Sequence, residues 1–488
     1  MKKILSYILL IPALLLVSSC AEDYLDTSPT DAVSETQVFT TTQNAMAALN
    51  GIHRSMFIRY DSQGQPGHGG VMIMSDVLSE DLVMTTTGNG WFVSIGRWLN
   101  HVLDTSGDVR FVWRLYYKII GNANMLIANI DEADGPQEDK DLIKGQAYAY
   151  RAWAHHQLVQ LFAERYSIGG DNSQIGVPIV TEPITEGGPR NTVGEVYAQI
   201  NQDLDAAAAL LNESRAAKSH LNINVVNGLK ARVALIQGNW TQAAQFANQA
   251  RQGFSLMNEE QLLAGFNDVG NPEWIWGSHQ VDDEQTYFAS FFAYMSYNYN
   301  STNIRQNPKA INSLLYEELS STDIRRGQWD PTGENVTVPS NYARMPYMNS
   351  KFAAQSTDSS VGDIPYMRAS EMFLIEAEAL ARSGDEAGAA DVLAEFAVTR
   401  DPEYSRSANS GEALLEEILI QRRIELWGEG FRFLDLKRLN QPLDRTGANH
   451  VESVISGQFE VPAGDNRWQW LIPRDELNAN PHMIQNPL

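Results

Sequence analysis

Cysteine is all but missing from this chain: its 488 residues include one, Cys20. No disulfide can close within the molecule and no cysteine-built metal centre can form, so the fold rests on packing and polar pairing. Other signatures are missing too. The sequence holds no HExxH, no GxSxG and no Walker loop, and the adjacent His155 and His156 point to different helix faces, not to one i,i+4 metal pair. No metal ion and no cofactor is therefore expected. The glycine-rich stretches DSQGQPGHGG (61–70) and TTTGNG (85–90) lack the Lys-Ser/Thr that follows a phosphate loop and read as turns. Basic residues are scarce, 36 against 60 acidic, for a net charge of −24. Such a surface repels phosphate backbones, which excludes nucleic acid as an expected partner; the acids are scattered, as ordinary solubility charge is. A hydrophobic run long enough to span a bilayer is also missing. The apolar stretch from Ile4 to Val17 would rise only about 21 Å as a helix, short of the ~30 Å hydrocarbon core.

That stretch has another meaning. Two lysines, an apolar core, two serines and then Cys20 form the layout of a secretory signal, and Val-Ser-Ser-Cys suits a lipoprotein signal peptidase. We expect residues 1–19 to be removed and Cys20 to be lipidated, which anchors the chain without spanning the membrane. Residues 20–40 are polar, carry Pro29 and show no sustained period, and so read as a tether. The folded body begins near Thr41.

Beyond Asp108 apolar residues recur at three- and four-residue steps, first through Val112, Leu115, Tyr116, Ile119 and Ile120, then over 142–162, 193–211, 225–250, 372–396 and 414–439. Each is the period of a helix with one buried stripe. Strand-like alternation is confined to short runs near 176–180 and 274–278, so the fold class is mainly α. Two helix pairs share a tetratricopeptide-like template of small and aromatic residues about a turn glycine. In one they are Ala231, Ala234, Gly238, Trp240, Ala243, Ala247 and Ala250; in the other, Ala377, Leu380, Gly384, Ala389, Leu393 and Phe396. The two turn glycines are not separated by whole units of roughly 34 residues, so a continuous solenoid is not expected. Residues 253–364, rich in Trp, Tyr, Asn and Pro and poor in long periods, read as a loop-built insertion.

Several ordered segments resemble the SusD/RagB-like nutrient-binding lipoproteins of Bacteroidetes outer membranes. They are CAEDYLD behind the signal, WRLYYKIIGNANMLIANI (113–130), GQAYAYRAWAHHQLVQLFA (145–163), RNTVGEVYAQINQDLDAAAALL (190–211), IPYMRASEMFLIEAEALARSGD (364–385), QRRIELWGEGFRFLDLKRL (421–439) and IPRDELNANPHMIQNP (472–487). Gln421 departs from the pattern, which usually has Glu before the Arg pair. The resemblance implies a single domain over 41–488. Its helical scaffold would occupy about 41–252 and 365–440, interrupted by the insertion at about 253–364 and followed by a tail at 441–488. It further implies a location on the outer membrane, facing the cell exterior, and a partner, the SusC-like TonB-dependent transporter.

The residues themselves leave three functions open: a non-catalytic binding protein, a lipid-anchored glycosidase, which needs only two carboxylates about 5 to 9.5 Å apart, and a helical scaffold. The resemblance favours the first, with an oligosaccharide or a peptide as ligand. Glu425 and Glu429 lie one helical turn apart among Arg422, Arg423 and Arg432, and opposite charges at that spacing read as helix partners, not as an acid/base pair. Aromatics carry more. Between Tyr287 and Tyr299, seven of 13 residues are aromatic. Tyr287, Phe291 and Tyr294 share one helical stripe and Phe288 and Phe292 another, which assigns much of the cluster to the core. Tyr297 and Tyr299, alternating with amides, fit a sugar platform as well as a core. GNGWFVSIGRWLNH (88–101) offers Trp91, Arg97, Trp98 and Asn100, with Trp98 fitting core burial at least as well as ligand contact; by position in the resembling family, these two segments are where glycan-binding aromatics fall. The expected ligand-binding residues are thus Trp91, Arg97, Trp98, Asn100, Tyr297 and Tyr299.

Overall fold

The computed structural model describes residues 39–488 apart from 285 and 287. The signal, Cys20 and nearly all of the tether lie outside these, as does Tyr287. The described residues are mainly helical, with 49% helix and 6% strand. Eleven helices of eight residues or more are used below: α1 (Thr42–Ser55), α2 (Gly67–Leu78), α3 (Gly107–Asn129), α4 (Gln137–Phe162), α5 (Val193–Leu210), α6 (Ile223–Gln237), α7 (Trp240–Arg251), α8 (Ala369–Ser383), α9 (Glu386–Ala397), α10 (Gly411–Glu425) and α11 (Arg432–Leu439). Their starts follow local chemistry. Thr192 caps α5 in a reciprocal box with Glu195, and Thr41, Ser106 and Asn222 accept from the first-turn amides of α1, α3 and α6. Gly238 and Gly384 end α6 and α8 in the left-handed conformation, which makes the tight turn to the next helix.

Helix packs on helix in chain order: α1 on α3, α3 on α4, α4 on α5, α5 on α6, α6 on α7. The next contact differs from the sequence-based expectation. Where the template is interrupted at residue 253, α7 packs directly on α8, so the row broken in sequence is continuous in space. Arg251 locks this junction, lying 3.9 Å over the Phe373 ring and donating to Glu376 at 2.8 Å. One apolar cluster runs from Ala45 to Met483, and a satellite of Phe373, Leu374, Leu393, Phe396, Leu414 and Ile418 seals α8, α9 and α10.

The insertion supplies four of the eight strands among the described residues. β1 (Leu82–Met84), β3 (Lys309–Ile311), β5 (Met348–Asn349) and β4 (Trp329–Asp330) form one antiparallel sheet in the order β1-β3-β5-β4, and β2 (Trp274–Gly277) pairs with β6 (Pro365–Arg368). The run near 176–180 makes no strand; only an isolated bridge joins Ile175 to Thr192.

A buried ionic cluster holds the insertion to the scaffold. Arg368, at the end of β6, donates to Glu273, to Glu425 at 2.9 Å and to Glu429 at 2.7 and 2.8 Å. Arg400 reaches Glu273 at 2.7 Å and Glu425 at 3.0 Å, while Lys351 donates to Glu429 at 2.8 Å and to the carbonyls of Glu425 and Trp427. Arg325 joins Asp323 at 2.7 Å and Glu425 at 3.4 Å. These are four cations and four carboxylates, all buried. Burial alone would raise the Glu425 pKa, but Arg400, Arg368 and Arg325 outweigh it and hold the group well below the carboxylate range. The sequence-based reading of Glu425 and Glu429 needs correcting in its partners. The neighbouring arginines go elsewhere, Arg422 to Asp435, Arg423 to Asp81 and Arg432 to Glu80, and the glutamates pair over long range. The Trp-Gly-Glu-Gly turn that carries Glu429 needs both glycines: φ is 78° at Gly428 and 87° at Gly430, and a Cβ there would lie 2.5 Å from Phe352 and 2.8 Å from Met72.

Glu425→Gln leaves three carboxylates against four buried cations, with Arg400 keeping Glu273 and Arg368 keeping Glu273 and Glu429, and we expect a loss of about 3–5 kcal/mol in urea unfolding; a loss under 1 kcal/mol would show that the cluster is not what holds the insertion. Acid should also destabilise the fold. Burial, the largest cause in each case, lowers His53, His68, His101, His155 and His156 to about 3 and His450 to about 4. These histidines stay neutral in the fold but protonate near 6.5 when unfolded, so their contribution is complete above that pH and is lost as pH falls toward 3. Asp76, Asp108 and Asp203, pushed up by burial, oppose this but are outnumbered. The melting temperature is expected to fall between pH 7 and pH 5, before ordinary carboxylates titrate; a flat profile there would contradict the neutral-histidine account.

Candidate functional site

β1 runs into the glycine-rich loop 85–90, and β3 is entered from the short helix Thr302–Gln306. The strands are antiparallel with Met84 opposite Lys309, so both loops leave the sheet at the same end. Hydrogen bonds then tie them together. Thr85 Oγ1 donates to the Pro308 carbonyl at 2.8 Å, Thr86 Oγ1 to that of Gln306 at 2.7 Å, and the Thr86 amide to Asn307 Oδ1 at 3.3 Å. The early loop and the central insertion meet here although they are 223 positions apart in the chain.

Where they meet lies a cavity of about 140 Å³, lined by Gln63, Asn89, Trp91, Phe288, Ala293, Tyr294 and Ser301 to Asn303. Trp91 is half-buried, Phe288 is 47% exposed, and Tyr294 is 2% exposed. The Tyr294 ring is held edge-on by Phe92, centroids 5.0 Å apart, and by Trp91 at 6.1 Å. Phe288 tilts against the buried Tyr299 at 6.0 Å. The lining offers flat apolar faces, two amide side chains at the rim and hydroxyls from Ser301 and Thr302, but no Asp, Glu, Lys, Arg or His. Burial raises the Tyr294 pKa, so its phenol stays neutral. Such a set can stack on C–H faces of a ring and bond its hydroxyls, and has no group placed to neutralise a charge.

Of the six expected ligand residues, Trp91 alone lines this cavity. Trp98 is corrected to a core residue: it is 1% exposed, donates its indole N–H to the Leu78 carbonyl at 3.0 Å and packs edge-on to Trp468 at 4.8 Å, leaving no face for a ligand. Arg97 points to the C-terminal segment, donating to the Val454 and Ser453 carbonyls at 2.8 and 3.0 Å. Asn100 donates to Asp108 at 2.8 Å, beside the start of α3. Tyr299 is 3% exposed and supports Phe288 from behind. Tyr297 is half-buried against the core, and the amide of Asn298 braces Ala354, so the alternation of aromatics and amides serves packing. The core assignment of the cluster holds for Phe291, Phe292 and Tyr294, all buried, but the helical stripes do not run its length: among the described residues of the segment the helix is Phe292–Met295, and the exposed Phe288 precedes it with φ at 54°. Gln63 carries no periodic signal.

Other hollows suit sugar rings less well. A groove of about 770 Å³ between α10 and residues 439–446 is lined by leucines, acids and arginines with no aromatic side chain. Another, of about 230 Å³ near Lys437, mixes Glu164, Arg165 and Asp465 around a buried Trp468. Among the described residues no three His, Cys, Asp or Glu side chains are grouped to hold a metal ion, and no helix is long and apolar enough to cross a membrane.

Residues 23–235 match the family described as "Starch-binding associating with outer membrane", and residues 242–488, more than half of the chain, match the one described as "SusD family". The chain belongs to the SusD family. It is 26% identical to SusD-like protein P2 of Formosa agariphila, covering 97% of both chains. It superposes on a crystal structure described as a SusD-like carbohydrate binding protein from Bacteroides vulgatus with a TM-score of 0.81 at 27% identity, covering 91% of this chain and 98% of that one. A SusD superfamily protein from Bacteroides thetaiotaomicron shares the fold at TM-score 0.78 and 22% identity, with coverage of 92% and 100%. These full-length matches extend over the insertion as well as the helices, so the loop-built segment is part of the SusD architecture.

Replacement of Trp98 by Ala should cost about 3–5 kcal/mol of stability, as loss of a core aromatic does, whereas Trp91→Ala, at the half-buried rim, should cost well under half of that. Paired urea titrations test the assignment, and equal losses would refute it.

Proposed function

We propose that this protein is a non-catalytic, lipid-anchored capture protein on the outer face of the outer membrane, which binds a neutral oligosaccharide and delivers it to a SusC-like TonB-dependent transporter. The observation that carries the reading is the cavity in which Trp91, Phe288 and Tyr294 meet amides and hydroxyls without a charged side chain. Sugar rings stack on such faces, and a charged ligand would lose its water with nothing in return. The carbohydrate-binding description of the Bacteroides vulgatus relative agrees with it. The anchor rests on Cys20 and the signal before it, and the transporter on the family resemblance.

The use of the carboxylates supports the non-catalytic part of this reading. A glycosidase needs one carboxyl held protonated, and Glu425, buried against three arginines, is held ionised instead. No acidic side chain lines the aromatic cavity.

Titration calorimetry with α-1,4-, β-1,3- and β-1,4-linked hexose hexasaccharides, a hexuronate hexasaccharide and a mixed peptide library tests the reading. We expect binding of at least one neutral hexasaccharide, at least tenfold weaker binding of the hexuronate, loss of binding in Trp91→Ala, and no shortened product after prolonged incubation. Binding of peptides alone would overturn the carbohydrate reading, and product formation would overturn the non-catalytic one.

A further inference from the structure

We propose that the groove beside α10 is a docking surface for a helical segment of a partner protein, apolar along one face and carrying lysine or arginine at its flanks. The helix itself supplies the first argument. Leu414 and Ile418 lie on its inner face, in the apolar cluster shared with α8 and α9. Residues 412, 415, 416, 419, 420 and 423 recur at the three- and four-residue steps of a second face, and all six line the groove of about 770 Å³. α10 is thus apolar on two sides, and the protein covers one of them. On the open side Leu415, Leu419 and Ile420 are half-buried, and Leu314, on the neighbouring short helix Ser313–Glu317, is 54% exposed. A helix with apolar residues on both sides is ordinarily covered on both, and a contiguous exposed apolar wall marks contact with another molecule.

Length and charge then name the occupant. From Glu412 to Arg423 the groove-facing positions rise about 17 Å along α10, roughly three helical turns, which a helix of about 11 to 14 residues laid alongside would match. The charges of the lining are not balanced within the protein. Its three arginines are already engaged, Arg382 with Glu378 at 2.8 Å, Arg423 with Asp81 at 2.6 Å and Arg432 with Glu80 at 2.6 Å. Glu318, Glu412 and Glu416 are exposed, and their carboxylates make no ion pair or hydrogen bond among the described residues. A leucine floor between unpaired carboxylates is complementary to an apolar stripe between cations. The same charges count against the chain's own tether as the occupant, since residues 21–38 carry five acidic side chains and no lysine or arginine.

Fluorescence anisotropy on the full-length protein tests the proposal, with a labelled helical peptide of about 14 residues that has leucines at i, i+3, i+4 and i+7 and lysines on both flanks. We expect saturable binding, about tenfold weaker when glutamates replace the lysines. Glu412→Lys/Glu416→Lys should weaken binding of the lysine peptide about tenfold and strengthen that of the glutamate peptide, and Leu314→Asp should weaken both. All three positions are exposed, so these variants keep the fold. Attraction to the net charge of −24 is separated by Glu182→Lys/Glu186→Lys, the same reversal on an exposed loop outside the groove, which should leave the affinity within about twofold. Equal weakening by the two reversals would reduce the effect to net charge and overturn the proposal, as would equal affinity for the two peptides or no binding of the lysine peptide. Self-association of the wild-type protein in sedimentation velocity that Leu314→Asp abolishes would put a second copy of this chain in the groove, and would overturn it too.

Discussion

The structure depends on charge neutralisation inside the interior. Four of the eight ionised groups in the central cluster, Glu273, Asp323, Arg325 and Lys351, come from the insertion, and the other four, Arg368, Arg400, Glu425 and Glu429, come from the segments that follow it. Each set is neutral in sum, yet Glu273 and Lys351 find their counter-charges across the junction, on Arg368, Arg400 and Glu429, and without them each would be a lone interior charge costing several kcal/mol. Docking the insertion is thus close to all-or-none. Gln421 belongs to the same balance: it accepts from Arg325 at 2.6 Å, and a glutamate at that place would add a fifth carboxylate to four cations.

From that constraint the position of the candidate site follows. Lys351 is fixed to the carbonyls of Glu425 and Trp427, and the Phe352 ring next to it stacks on Trp427 at 6.3 Å. Trp427 in turn donates to the Asp81 carbonyl at 2.8 Å, just before β1. The Trp427 turn therefore places β5 and β1 on either side of β3, and the β1–β3 pairing delivers two distant loops to one end of the sheet. The sheet ends at the cavity, and at its rim the exposed Asn89 and Phe288 stand on turns while the exposed Thr302 opens the short helix. A rigid support under exposed loops is the common arrangement for a binding site.

Stability and recognition draw on aromatics in different ways. Trp98, Trp153, Trp274, Trp276, Trp427 and Trp470 are almost fully enclosed and build the core. At the cavity, Trp91 and Phe288 keep part of their faces open. A chain optimised for packing alone would have closed both. These local departures from good packing, more than the abundance of aromatic residues, mark the site.

Periodicity was enough to determine the helices, because a buried stripe repeats every 3.6 residues whatever the helix packs against, and all six periodic stretches became helices. The resemblance, carried by ordered motifs, identified the family. Tertiary structure alone decided the rest. The long-range partners of Glu425 and Glu429 could not be read because a carboxylate pairs with whichever cation the fold brings near, not with the nearest in sequence. The continuity of the helix row across the insertion was hidden for the same reason. Trp91 and Trp98 look alike in sequence, seven residues apart in one aromatic segment, and only the positions of Leu78, Trp468 and the 288–303 loop put one in the core and leave the other beside an open cavity.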